Sequence, residues 1–426
     1  MQRRTFVAVT AASQSRILGA NDRLSIGLIG CGGRGRYVAR LMREAPNVEF
    51  GAVADVYNAN AENARQWAGP QAKAFQDFRK LLDLKEIDAV LIATPDHWHA
   101  IPTILACQAG KDVYVEKPLA HNIVEGRAMV NAARQYKRIV QTGTQQRSAT
   151  HFPEVAEIIR KGQLGEVRFV RVWNYTNMTL RAPAREQNTE PPAGLDWDLY
   201  LGPAPKVPFH RRRFLGTFRW FWDYAGGTIT DFGTHRFDTV HQIMGSEIPK
   251  TVSASGGRFS VKDDGEMPDV LQVTYEYPGW IMSYEAINMS AHGLGGRTPN
   301  MKYYNARGEL DRPNGMAFYG TNGSIFADRI GYEIYPDNDN IIRKTMNTTD
   351  ATGLHAKYFI ECLRDRKQSR ADVEVGHRST IVAHLGNIAF KTGRKLQWDG
   401  SKEDFMDAAD AARLLRRQAR KPWDLV

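Results

Sequence analysis

The chain has 426 residues, 42% of them hydrophobic and 24% charged, which is ordinary for a globular protein and long enough for two domains. No apolar run approaches the roughly 20 residues needed to span a bilayer, and the net charge of +10 arises from 57 basic residues scattered among 47 acidic ones without a recognition motif, which reads as a solvated surface and not as a nucleic-acid site. Cys31, Cys107 and Cys362 have neither disulfide nor metal spacing, and nothing near His97 and His99 completes a zinc set, so no metal is expected.

Residues 1–22 form an arm. Arg3-Arg4-Thr5-Phe6 and the small residues Leu18-Gly19-Ala20 look like a twin-arginine export signal, although the apolar core between them is only Phe6 to Ala12. We take periplasmic export as the expectation and a cytosolic arm as its alternative. A dinucleotide-binding domain is then expected over 23–145. It opens on the strand-like run Leu24 to Ile29, which breaks into Gly30-Cys31-Gly32-Gly33-Arg34-Gly35 and continues with apolar residues at helical spacing. In such a strand–turn–helix the first glycine permits the tight turn and the second lets the backbone approach a pyrophosphate. The third lets helix and strand pack closely, and the helix N-terminus holds the phosphates. A second apolar run from Val48 ends in Asp55, twenty residues after Gly35, where a carboxylate meets the adenosine ribose and repels a 2′-phosphate. This predicts NAD rather than NADP.

The alternation continues with helix 58–67, strand 72–75, helix 77–83 and the buried strand 87–93. Thr94-Pro95-Asp96-His97-Trp98-His99 follows at the sheet's carboxyl edge, where ligands bind, so Thr94, Pro95, His97 and His99 are candidate cofactor contacts. Asp96 reads as the N-cap of a helix running to Gln108. The next strand, 112–115, delivers Glu116-Lys117-Pro118 to the same edge. The proline biases Lys117 towards an extended backbone, and an ammonium there would favour alkoxide over alcohol. A helix over 123–136 and a strand over 138–142 complete a doubly wound parallel α/β sheet.

From 146 onward the spacing predicts an α+β domain for substrate and oligomerisation, with an open, mainly antiparallel sheet and helices on one side. Its expected elements are a helix over 153–161 and strands over 167–175, 270–277, 280–285, 316–320, 323–327 and 332–335, with a hairpin at Pro278-Gly279. The Pro-, Gly- and Asn-rich segments 178–216 and 286–314 read as long loops that bind something or arrange subunits. The chemistry-bearing stretch is Gly226-Gly227-Thr-Ile-Thr-Asp231-Phe-Gly233-Thr-His235-Arg-Phe-Asp238. On a regular helix Asp231, His235 and Asp238 share one face, and a carboxylate beside the imidazole would orient it and raise its pKa. A histidine satisfied by a helix-face aspartate is an equally ordinary structural feature. Trp173, Trp222, Tyr224 and Arg147 are weaker candidates for contact with substrate, each with a plain packing or surface reading beside it. Arg211-Arg212-Arg213 reads as a solvated loop.

Together, Glu116-Lys117-Pro118 and the Gly226–Asp238 pattern resemble the glucose–fructose oxidoreductase, inositol dehydrogenase and MocA family, over about Leu24 to Phe390. The resemblance implies a Rossmann domain followed by an open sheet whose exposed face often mediates oligomerisation, hence a homodimer or homotetramer. It also implies Lys117, Asp231 and His235 as the catalytic set and a sugar, sugar derivative or cyclitol as substrate. The long loops and the arginine pair look more like the exported, sugar-directed branch. The function expected is NAD-dependent oxidoreduction of a secondary hydroxyl. Two rivals use the same parts: a redox-neutral glycoside hydrolase or lyase working through transient sugar oxidation, and a non-catalytic dinucleotide sensor, which would need Lys117 and His235 far apart or occluded.

Overall fold

The computed structural model describes residues 23–179, 185–245, 248–294, 312–337, 344–347, 350–406 and 408–424. The N-terminal arm with its arginine pair, and parts of both long loops, lie outside the described residues. The first sheet comprises β1 (Leu24–Ile29), β2 (Val48–Ala54), β3 (Lys73–Phe75), β4 (Ala89–Ile92), β5 (Asp112–Val115) and β6 (Val140–Thr142). Their order is β3-β2-β1-β4-β5-β6 and every pairing is parallel. All residues of β1, β4 and β5 are buried, which explains why they read as continuous apolar runs instead of alternating. Helices α1 (Gly33–Arg43), α2 (Asn58–Ala68), α3 (Phe78–Leu82), α4 (Ala100–Gln108) and α5 (Ile123–Gln135) make the crossovers. The strand order reverses between β1 and β4, and a ligand crevice opens there at the carboxyl ends.

The second sheet has eleven strands: β7 (Phe169–Asn177), β8 (Thr251–Gly257), β9 (Val270–Tyr277), β10 (Trp280–Ile287), β11 (Met289–Ser290), β12 (Asn314–Tyr319), β13 (Gly323–Ala327), β14 (Gly331–Pro336), β15 (Thr345–Asn347), β16 (Leu396–Asp399) and β17 (Asp404–Phe405). Apart from the parallel pair β7–β10, the described pairings are antiparallel, including the β9–β10 hairpin turned at Gly279 with φ +85°. Helices α6 (His151–Arg160), α7 (Trp197–Leu201), α8 (Thr234–Met244), α9 (Ala351–Asp365) and α10 (Val373–Thr392) complete the frame used below. Val155, Phe237 and Leu385 from α6, α8 and α10 share one core with Val170, Val273 and Met282 of the sheet. α9 returns to the first sheet, where Phe359, Ile360 and Leu363 pack with Leu28, Leu91 and Tyr114. No described helix is long and apolar enough to cross a membrane.

The segment 194–225, read in part as a loop, is a roof with its own core. Tyr200, Leu201, Phe209, Phe214, Phe218, Phe221 and Tyr224 bury one another, with Val56 and Tyr57 of the first domain packed against them. Backbone hydrogen bonds run both ways across that seam: Asp196 N donates to Val56 O at 2.9 Å and Asn58 N to Gly194 O at 2.9 Å. Its far side is held by residues near 420. Arg420 Nε donates to Gly202 O at 2.9 Å, and Arg420 Nη1 to Asp198 Oδ1 at 2.6 Å. Trp423 stands edge-on to Trp98 at 4.8 Å, and Arg417 Nη2 donates to His97 O at 2.7 Å. Gly202, at φ +49°, lies so close to Trp98 that a Cβ would run into the indole.

Candidate active site

The glycine turn is built for a close-lying ligand. Gly30 has φ +89°, and a Cβ on it would meet the Ala93 carbonyl carbon at 2.6 Å, so β1 can turn beside β4 only with glycine there. A Cβ on Gly35 would strike the Gly30 carbonyl oxygen, whereas Gly32 and Gly33 face open space. Gly32 caps α1 without a side chain, and first-turn N–H groups have no intrahelical partners. Asp55 is fixed across the turn: its Oδ2 accepts from Cys31 N at 2.8 Å and its Oδ1 from Tyr57 N at 2.9 Å. Burial raises the Asp55 pKa, against the pull of those N–H groups. Arg34 Nε donates to Glu116 Oε1 at 2.7 Å, which fastens the start of α1 to the end of β5. Glycines open to the cleft beside bare N–H groups, with a carboxylate one strand away, fit a dinucleotide.

A cleft of about 540 Å³ runs from Asp55, past Gly30, Gly32 and Gly33, along Thr94, Pro95, Asp96 and His99, to Glu116, Lys117, Asp231 and His235. The residues of its far end arrive from three places. β5 ends at Val115 and projects Lys117 from the edge. Asp231 lies in a π turn, Ile229–Gly233, which leads into α8, and His235 is the second residue of α8. Lys117 Nζ donates to Asp231 Oδ1 at 2.5 Å and to Asp231 O at 2.8 Å, and Arg219 Nε from the roof lies 3.1 Å from Asp231 Oδ2. Burial would raise the Asp231 pKa, but Lys117 and Arg219 outweigh it and hold the carboxyl well below the usual range. His235 is 4% exposed. Burial, then Arg329 and Lys117, push its pKa well below that of free histidine, so the imidazole is neutral at pH 7 and able to take a proton.

Several sequence expectations need correction. The π turn places Asp231 outside the regular helix that holds His235 and Asp238; Asp231 and His235 line the cleft and Asp238 does not. Asp238 is buried, where it pairs with Arg147 Nε at 2.8 Å and accepts from Ser379 Oγ at 2.8 Å, and Arg147 is absent from the cleft lining. Asp231 spends its carboxylate on Lys117 and Arg219, and the His235 pKa falls instead of rising. His97 is fully buried among Trp98, Tyr200 and Tyr224, with Nε2 3.0 Å from Tyr200 O, and does not reach the cleft. His99 does line it, its ring nitrogens 2.7 Å from Pro118 O and 2.9 Å from Thr94 O. Trp173 is buried in the second sheet, donating to Arg312 O at 2.7 Å, and Tyr224 is buried in the roof. Trp222 lies under Lys391, 3.6 Å from the ring centroid; neither tryptophan nor Tyr224 borders the cleft. Arg212 and Arg213 are drawn in from the presumed solvated loop to Glu186, Asp223 and Glu266.

The cleft also uses residues the sequence reading passed over. Asp96 sits inside a short 3-10 turn, Asp96–Trp98, and faces the cavity without capping a helix. Arg219, Gln145 and Arg329 line it, and so do Leu199, Phe214, Leu215 and Phe218 of the roof. Asp96 was visible inside the Thr94–His99 stretch. Arg219 had no signal beyond standing eight residues before Gly227.

Family comparison matches this layout to two models: residues 24–144 to "Oxidoreductase family, NAD-binding Rossmann fold", and residues 148–277 and 307–425 to "Oxidoreductase family, C-terminal alpha/beta domain". The chain belongs to the Gfo/Idh/MocA oxidoreductase family. It is therefore an oxidoreductase with an NAD-binding domain. Among curated relatives it is 23% identical to myo-inositol 2-dehydrogenase of Thermotoga maritima, across 87% of this chain and 94% of that protein. It is 25% identical to the oxidoreductase YrbE of Bacillus subtilis over 59% of this chain, an alignment that spans 63% of YrbE. Among solved structures, levoglucosan dehydrogenase in complex with NADH and levoglucosan superimposes with a TM-score of 0.64 at 19% identity, over 88% of this chain and 99% of that one. At that identity the likeness is one of fold.

Proposed function

We propose that this member of the family oxidises or reduces a secondary hydroxyl or keto group of a sugar, sugar derivative or cyclitol, with NAD preferred to NADP. The observation that carries the reading is the convergence of a neutral, buried His235 and the Lys117–Asp231–Arg219 cluster on the cleft that begins at the glycine turn. Bound NAD supplies the hydride acceptor. His235 takes the hydroxyl proton as the carbinol hydride leaves. Lys117 steadies the developing alkoxide, and Asp231 holds the ammonium in place by two contacts. Asp55 accepts the ribose hydroxyls and disfavours a 2′-phosphate. Asp55→Ala should bring the NAD and NADP affinities together in parallel titrations; an unchanged ratio would leave Asp55 as a turn brace only. The inositol and levoglucosan dehydrogenases named above support polyhydroxylated substrates. The test is a panel of sugars, cyclitols and glycosides followed at the NADH absorbance band, with and without added NAD. No turnover of any of them would defeat the reading.

One feature favours a second reading. The roof over the dinucleotide end is fixed on both sides, which suits a cofactor retained through turnover, as redox-neutral cleavage of a glycoside requires. Glycoside turnover without added NAD and without net NADH would select it. The sensor reading needs Lys117 and His235 far apart or occluded from the nicotinamide; that both border one cleft supports the catalytic reading.

A further inference from the structure

Three carboxyl groups stand at the reaction end of the cleft, and they are not equivalent: Glu116 is already paired, its Oε1 accepting from Arg34 Nε at 2.7 Å. Asp231 takes the direct contacts of both cations, Lys117 at 2.5 Å and Arg219 at 3.1 Å. Asp96, at the carboxyl end of β4, is only 6% exposed, lines the cavity and makes no ion pair among the described residues. One ionised carboxylate against two cations leaves the cluster one positive charge in excess, and Asp96 is the group placed to balance it. The charges acting on it come from Arg219 of the roof, Lys117 beyond β5 and Asp231 of the π turn. Burial pushes its pKa up, Arg219 and Lys117 pull it back and Asp231 adds to the rise, which leaves it at about 7. Burial holds His97 at about 3 and His235 well below 6.5, and keeps the Tyr200 hydroxyl protonated well above 10.

The nicotinamide ring of the oxidised cofactor carries a positive charge that is lost when it accepts hydride. Lys117 and Arg219 oppose that charge, and a second carboxylate would offset them. We infer that Asp96 sets the preference between the two redox forms of the cofactor: its carboxylate favours NAD+, and its neutral acid favours NADH. The inference rests on the reading that the reacting ring lies at the Lys117–His235 end. By linkage, NAD+ binding then draws a proton off Asp96 and NADH binding lets one return.

The test measures the dissociation constants of NAD+ and NADH without substrate at pH 6, 7 and 8, for the wild type and for Asp96→Asn. In the wild type the ratio Kd(NADH)/Kd(NAD+) should rise roughly tenfold from pH 6 to pH 8, since ionisation of one group near neutrality is coupled to one cofactor charge. Asp96→Asn should give a flat ratio near the low-pH limit, in favour of NADH, and Asp96→Glu should restore a slope. If Asp96→Asn does not fold, titration of the wild type in buffers of different ionisation enthalpy still reads the proton released on NAD+ binding. A flat wild-type ratio, no proton release, or an undiminished slope in Asp96→Asn overturns the inference and leaves the oxidoreductase reading standing. Binding of neither cofactor overturns both.

Discussion

At the level of single residues, the site works by separating the tasks of groups that carry similar chemistry. Asp231 is locked as an anion by Lys117 and Arg219, while burial, then Arg329 and Lys117, hold the His235 pKa well below that of free histidine. His235→Ala should lower turnover by about 10²–10⁴-fold, the range for loss of a general base, and leave NAD affinity unchanged, because Asp55 and the glycine turn hold the dinucleotide. Wild-type turnover in that variant would remove His235 from the mechanism. Asp231→Asn keeps the shape but frees two cations from their counter-charge. Their repulsion lowers the His235 pKa further, so the acid limb of the kcat/KM profile should move to lower pH while the rate falls. An unmoved acid limb would mean that Asp231 and the cations it holds do not set the His235 pKa. The sequence carried the identities of Lys117, Asp231 and His235 but not their pairing. A regular helix was assumed where a π turn intervenes, and no residue pattern around Thr230 distinguishes the two.

Among the elements, legibility followed burial pattern. β1, β4 and β5 were readable because a strand buried on both faces leaves an apolar run between turn residues. α10 was not, because most of Val373–Thr392 is buried: apolar residues lie all round it and the amphipathic period is lost. β8 has branched residues only at its start, Thr251 and Val252, and continues through Ser253, Ser255, Gly256 and Gly257, which do not mark a strand. The roof was read in part as loop because its cohesion comes from aromatics spaced for contact with one another and not for any helix or strand. Gly35→Ala should test the first element: a Cβ there meets the Gly30 carbonyl, so NAD affinity should fall together with the thermal midpoint. An unchanged midpoint would mean the turn yields. Gly202→Ala should strain the roof against Trp98 and weaken cofactor binding more than it slows turnover at saturating NAD; equal effects on both would mean that the strain also reaches the reaction end through Arg219.

Across the whole molecule, burial of uncharged imidazoles sets the response to acid. His97, His121, His151, His235, His241, His355 and His384 are all held below the usual histidine range, chiefly by burial, with His151, His355 and His384 at about 4. Their folded pKa values lie below the unfolded value, so the unfolded chain binds more protons in between. Stability is therefore complete above about pH 6.5 and declines as pH falls, with each histidine contributing up to about 1.4 kcal/mol per pH unit. Urea midpoints should drop steeply from pH 6.5 to 5; a flat profile would show that these rings are already protonated in the native state. The contacts made by Arg417, Arg420 and Trp423 carry a consequence for synthesis. The glycine turn and the strands of the first sheet emerge from the ribosome well before Arg417, Arg420 and Trp423, the residues that latch the roof over them. A nascent chain can thus assemble the phosphate cradle long before it can latch the roof above it, and that latch waits on the synthesis of residues 417–423.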